Sequence, residues 1–130
     1  MKSKNLEGKR TLLKLDTDGE GMNAIFRDWQ LSALSYLINY EEGTSAEVLA
    51  HIEWHKLRIS RASVIQFLNK IVEEGLAIVR EETSKGGYRG VYSLKARSWE
   101  DFNNTIIDRF LFKLWEIFPD NERIKLVRAQ

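Results

Sequence analysis

Two stretches decide the fold: Thr44-Ser-Ala-Glu-Val-Leu49 and Ser60-Arg-Ala-Ser-Val-Ile-Gln-Phe-Leu-Asn-Lys-Ile-Val-Glu-Glu-Gly75. The longer one starts with a hydroxyl residue suited to cap a helix and ends with the residue that best tolerates the left-handed turn closing one. Val64, Phe67, Leu68, Ile71 and Val72 recur at three- and four-residue spacing, which predicts a helix over 60–74 with a single apolar stripe. The shorter stretch is a capping box. The Thr44 hydroxyl accepts from the Glu47 amide, and the Glu47 carboxylate reaches back to Thr44. It opens a helix with Val48, Leu49, Ile52 and His55 inward, ending near Lys56 or Leu57. Only Leu57-Arg-Ile59 separates the two helices, so they form a pair joined by a tight turn.

Upstream, Phe26, Trp29, Ala33, Leu34, Leu37 and Ile38 define one face of a helix over 26–42, ended by Gly43. Downstream, Leu76-Ala-Ile-Val79 and Val91-Tyr-Ser-Leu94 are short β-prone runs. They flank Ser84-Lys-Gly-Gly-Tyr-Arg-Gly90, which predicts a hairpin with a flexible basic tip. Ser98 then caps a long helix with Glu100 and Asp101 in its first turn, running to Phe118 before Pro119. At the start, residues 1–10 are polar, Thr11-Leu-Leu-Lys-Leu-Asp16 suits a short strand, and Asp16-Thr-Asp-Gly-Glu-Gly21 an acidic turn. The tail over 120–130 carries no strong pattern. Three segments follow: an N-terminal extension over 1–24, a folded domain over 25–97 and a C-terminal helix with its tail over 98–130. Three helices followed by a hairpin predict an α+β, mainly α fold, a winged helix-turn-helix with a long C-terminal dimerisation helix.

Composition narrows the function. The chain has 130 residues, 43% apolar and 30% charged, as expected for one globular domain or a small domain with an appendage. It has no cysteine, which excludes disulfides, thiolate metal sites and cysteine nucleophiles. No apolar run approaches the roughly 18–20 residues of a membrane span. Met1-Lys-Ser-Lys-Asn-Leu-Glu7 lacks the apolar core of a signal peptide, so a cytoplasmic protein is expected. His51 and His55 share a helix face, but the acid between them faces elsewhere and no third ligand is evident, so no metal is expected. The carboxylates are dispersed and no nucleophile is paired with a base. The glycine-rich segment matches neither phosphate-loop pattern. Neither an enzyme nor a cofactor is expected.

Charge points to a partner. The net charge is +1, yet residues 56–97 carry nine basic and four acidic side chains, while residues 16–55 carry one basic and eight acidic. The middle block is therefore the candidate for a polyanion, with double-stranded DNA the expected partner. A major groove about 12 Å wide admits one helix if others brace it and leave its outer face free. On helix 60–74 that face holds Arg61, Ala62, Ser63, Gln66 and Lys70, the expected base contacts. Arg and Lys suit guanine, Gln suits adenine, and small side chains suit the thymine methyl. Thr44, Ser45, Arg58, Ser60, Lys85, Tyr88 and Arg89 are the expected phosphate contacts. The competing possibility is a winged-helix protein-interaction module within a larger complex, which Glu73, Glu74, Glu81 and Glu82 would suit.

The helix Ser60–Gly75 also resembles the recognition helix of the penicillinase-repressor family of winged-helix regulators. That family shows a capping Ser, then Thr-Val, then Leu-Leu-Asn-Arg-Leu and a terminal Gly at matching spacing. Thr44-Ser-Ala-Glu-Val-Leu49 is similar to the start of its second helix. Tyr92-Ser-Leu94 followed by Ser98-Trp-Glu-Asp-Phe102 resembles its wing exit and the opening of its dimerisation region. The resemblance spans about residues 26–118 and implies a homodimeric repressor on an inverted-repeat operator. It places Ser63 and Gln66 on base-facing positions and Lys70 on the basic position after Asn69. Arg61 departs from it, standing where the family often has proline. Independently, the last helix is apolar nearly all round, which requires cover on more than one side. Trp99, Phe102, Ile106, Phe110, Leu111, Leu114, Trp115 and Phe118 are the expected dimer contacts. No membrane partner is expected; the operator and any effector are not legible.

Overall fold

The computed structural model describes residues 18–129, with side chains through Leu126. The strand expected over Thr11–Asp16 lies outside the described residues. The chain divides into two compact units, with the boundary between Lys95 and Ala96.

In the first unit, a 3-10 turn over Gly21–Ala24 leads into helix α1 (Asp28–Tyr40). The Arg27 amide donates to Gln30 Oε1 at 2.9 Å, which satisfies one of the amides at the helix start. Helix α1 ends sooner than expected and by a different residue. Glu41, with φ of +73°, makes the left-handed exit, and Gly43 is already in a strand. That strand, β1 (Gly43–Thr44), has no counterpart in the sequence pattern, because two residues are too few to show alternation. It is followed at once by α2 (Ser45–Trp54), which starts on the predicted capping box. The Thr44 amide donates to Glu47 Oε1 at 2.9 Å, and the Glu47 amide donates to Thr44 Oγ1 at 3.2 Å. Lys56, at φ of +63°, turns the chain toward α3 (Arg61–Glu73). Ser60 caps α3 by accepting from the Ser63 amide at 3.1 Å. Gly75, at φ of +77°, closes it. The Gly75 amide bonds the Val72 carbonyl and the Leu76 amide bonds the Ile71 carbonyl, at 3.0 and 2.9 Å.

The core of this unit is the convergence of the three apolar faces. Ala33, Leu34 and Leu37 of α1, Val48 and Ile52 of α2, and Val64, Leu68 and Ile71 of α3 are all essentially inaccessible to water. Phe67 sets its ring edge-on between Phe26, at 6.3 Å, and Trp29, at 5.4 Å. His55, expected inward, is instead an exposed residue at the end of α2.

The hairpin consists of β2 (Ala77–Ser84) and β3 (Gly87–Leu94), antiparallel, from Ala77 opposite Leu94 to Ser84 opposite Gly87. Its strands are twice as long as the apolar runs suggested, and only Lys85 and Gly86 lie outside the ladder. The expected seven-residue flexible tip is thus a two-residue turn. Cross-strand pairing and opposite charges, which an apolar count overlooks, extend the strands through polar residues. Strand β1 joins the other edge of β3, with Gly43 opposite Tyr92 and Thr44 opposite Val91, for a sheet order of β1-β3-β2.

The second unit holds α4 (Trp99–Ile117) and α5 (Glu122–Ala129). Ser98 Oγ accepts from the Asp101 amide at 3.1 Å, as expected. Helix α5 went unpredicted, although Asn121 is its signal. The Asn121 side-chain oxygen accepts from the amides of Arg123 and Ile124 at 3.0 and 3.2 Å.

One close approach fixes β1 against α1. A Cβ at Gly43 would collide with the Tyr36 ring. Gly43→Ala is therefore expected to destabilise the fold by about 1–3 kcal/mol. Thermal unfolding would check it, with Gly86→Ala, where nothing crowds the added carbon, as the control.

Candidate nucleic-acid interface

Helix α3 buries one side and leaves the other to solvent. Arg61, Ala62 and Gln66 are exposed on its outer face, as is Asn69, which the sequence reading passed over. Ala62, Gln66 and Asn69 follow one another at spacings of four and three, the signal that could have added Asn69. Two residues expected beside them are more constrained. Ser63 is half-buried, and its hydroxyl accepts from Ser60 Oγ at 2.9 Å. Lys70 is half-buried, with its ammonium 3.6 Å from the Glu73 carboxylate.

The expected phosphate contacts separate in the same way. Lys85 at the hairpin turn, Tyr88 in β3 and Arg58 in the α2–α3 turn are exposed. Ser45, the first residue of α2, is half-buried. Thr44 needs correction. It is 6% exposed, and its hydroxyl is committed to Glu47, donating to the carboxylate at 3.3 Å and accepting from the amide. It offers no contact to an external anion. Ser60 likewise uses its hydroxyl on Ser63, as cap acceptor and as donor.

Arg89 stands in β3 opposite Glu82, not in a loop, and is already paired. Its Nε and Nη2 donate to Glu82 Oε1 at 3.1 and 2.6 Å. Glu82 also accepts from Arg80 at 3.1 Å, and Arg80 donates to Glu42 at 2.9 Å. The hydrogen bonds from Arg89 and then Arg80 hold the Glu82 carboxyl below its usual range. Glu82 in turn raises the Arg89 guanidinium, while Glu42 and then Glu82 raise that of Arg80. This four-residue relay of alternating charge was legible only once the strand register was known. It neutralises much of the hairpin face and leaves Lys85 as the cation at the tip.

The dimer candidates divide by burial. Phe102 and Ile106 are buried. Trp99, Phe110 and Leu111 are half-buried. Leu114, Trp115 and Phe118 are exposed, together with Ile107, Phe112 and Ile117. Apolar exposure thus accumulates toward the C-terminal half of α4.

The histidine pair forms an aromatic cluster. The His51 ring lies 5.3 Å from Tyr36, 6.4 Å from Tyr40 and 4.5 Å from His55. His51 Nε2 is buried without a hydrogen-bond partner. His55 Nδ1 lies 3.1 Å from the His51 carbonyl and 3.4 Å from Ser32 Oγ. Among the described residues, no group of three or more His, Cys, Asp or Glu side chains is placed to hold a metal ion. Nor is any helix among them long and apolar enough to cross a membrane.

No protein-family model matches the sequence, and no curated protein matches it significantly. Solved structures do match by shape. A possible transcriptional regulator from Methanosarcina mazei Go1 superposes with a TM-score of 0.51 at 14% identity, over 75% of this chain and 80% of that one. The fold is a winged helix-turn-helix. PadR-family regulators from Eggerthella lenta and Clostridium difficile match with TM-scores of 0.48, both at 17% identity. The first match covers 99% of this chain and 93% of the other; the second covers 69% and 96%.

Burial of the His51 ring, and then the neighbouring His55, lowers its pKa below the ordinary 6.5. The unfolded chain therefore binds more protons than the folded one between these two values, so stability falls as pH drops through about 6.5. The melting temperature is expected to fall between pH 7.5 and 5.5, with a shallower slope in His51→Phe. Parallel slopes would remove His51 as the cause.

Proposed function

We propose that the protein is a sequence-specific DNA-binding transcriptional regulator, acting as a repressor by occluding a promoter. Helix α3 enters the major groove, and the β2–β3 hairpin lies on the backbone as the wing. The observation that carries this is the outer face of α3. Arg61, Ala62 and Gln66 project from a helix whose inner side, Val64, Phe67, Leu68 and Ile71, is locked into the core. A rigid helix with a free polar face is what direct readout requires. The similarity in fold to a protein described as a possible transcriptional regulator supports this function. The family assignment is the coarser one, a winged-helix regulator. The penicillinase-repressor likeness rests on sequence motifs, while two of the structural matches are described as PadR-family proteins.

The active species we infer is a homodimer through the exposed aromatic half of α4. Two recognition helices about 34 Å apart would read an inverted repeat with half-sites one turn apart. Ser45, Arg58 and Lys85 are the phosphate contacts we retain, with Tyr88 beside them. Arg89 spends its Nε and one Nη2 hydrogen on Glu82, which leaves Nη1 for a phosphate. Residues 25–97 form the DNA-binding domain in this scheme, residues 98–130 the dimerisation segment, and residues 1–24 an extension outside both.

Binding to a duplex selected from a random pool tests the surfaces. Arg61→Ala and Gln66→Ala are each expected to cost about 1–3 kcal/mol on the preferred site. Lys85→Ala should weaken all sequences alike and reduce the salt slope by about 1. DNA affinity unchanged in all three variants would refute the assignment. Trp115→Glu or Phe118→Glu is expected to give monomers in sedimentation velocity and to abolish the preference for two half-sites over one. A dimer surviving both would move the interface elsewhere.

A further inference from the structure

Asn69 extends the outer ridge of α3 beyond Gln66, but unlike an ordinary surface amide it is held at one end. Tyr92 Oη donates to Asn69 Oδ1 at 2.7 Å. Tyr92 is 7% exposed in β3, whereas Asn69 is exposed. The bond therefore ties the recognition helix to the wing strand through a buried ring. Burial raises the phenol pKa above its ordinary 10, so Tyr92 stays a donor throughout the neutral range. A carboxamide normally rotates about its last torsion and can present either oxygen or nitrogen. With its oxygen bound to the phenol, this one keeps its two N–H donors for an outside partner.

We propose that Asn69 is a specificity-determining residue whose amide, oriented by Tyr92, donates to the acceptor edge of a guanine. This rests on the DNA-binding function proposed above. An unrestrained Asn reads adenine by accepting from N6 and donating to N7 at once. The tethered amide has one oxygen lone pair occupied and its rotation stopped. Guanine presents only acceptors, O6 and N7, at the corresponding positions. Tyr92 is a positioning residue in this scheme: it touches no base and acts by selecting which end of Asn69 faces outward.

The test uses the full chain and the duplex selected by the wild-type protein, with each base pair of one half-site varied in turn. Asn69→Ala is expected to lose about tenfold in affinity on the selected site and to lose its preference at one base pair. Tyr92→Phe keeps the ring and removes the tether. It is expected to relax guanine over adenine at that same pair while changing affinity elsewhere by less than about threefold. Unchanged preference in Asn69→Ala overturns the inference. So does a loss spread equally over all sequences, which would put the amide on a phosphate. A Tyr92→Phe variant whose melting temperature and affinity fall together, with base preference intact, reduces Tyr92 to a structural brace and overturns the tether. Arg61→Ala separates the two levels. If it weakens binding and Asn69→Ala does not, this inference alone fails; if neither does, the DNA-binding function fails with it.

Discussion

The rest of the first unit depends on Phe67 being clamped between Phe26 and Trp29. This contact joins the middle of α3 to the entrance of α1, and it decides which side of α3 faces inward. Because a helix repeats every 3.6 residues, fixing Phe67 also fixes Val64, Leu68 and Ile71 toward the core and Ala62, Gln66 and Asn69 away from it. Edge-to-face rings add about 0.5–1.5 kcal/mol beyond the area they bury, and they resist rotation of the helix about its axis. The chemistry at Arg61, Ala62 and Gln66 can therefore vary independently of the packing beneath them.

The second constraint is the junction at Thr44. One residue pairs with Val91 in the sheet, caps α2 and closes a capping box with Glu47. The start of α2 is thereby welded to the strand that carries Tyr92 and Arg89. The sheet and the helices share a hinge point with no slack residue between them, and Gly43 beside it leaves room for the Tyr36 ring. The wing is consequently oriented by backbone hydrogen bonds and by the Tyr92–Asn69 bond together.

Helices α2, α3 and α4 were legible in the sequence because each begins with a capping hydroxyl followed by an apolar period. The end of α3 was legible because Gly75 does what only a residue without Cβ does easily. The exit of α1 was not, since Glu41 adopts a left-handed conformation that its side chain does not advertise. Strand β1 was too short to show a period, and the wing strands were hidden by their charges. Arg89 reads as a residue of the tip, and Arg80 and Glu82 fall outside both apolar runs, until pairing across the ladder makes all three strand residues. For the candidate site, exposure of Arg61 and Gln66 followed from periodicity. The engagement of Thr44, Ser60 and Arg89 by neighbours did not, because a sequence shows donors and acceptors without showing which are already taken.

The two-residue turn at Lys85–Gly86 makes the hairpin a ruler. Eight residues per strand at about 3.3 Å each give an arm roughly 26 Å long, stiffened by its ladder to the last pair. Only its base is anchored, at Ala77, Val91, Tyr92 and Leu94. Side chains alternate between the two surfaces, so the arm can lengthen or shorten over evolution only by matched pairs of residues in both strands, in increments of about 7 Å. A change of one residue per strand would exchange the surfaces of every side chain beyond it. The distance from core to Lys85 is thus quantised, and relatives with different wing reach should differ in steps, not continuously.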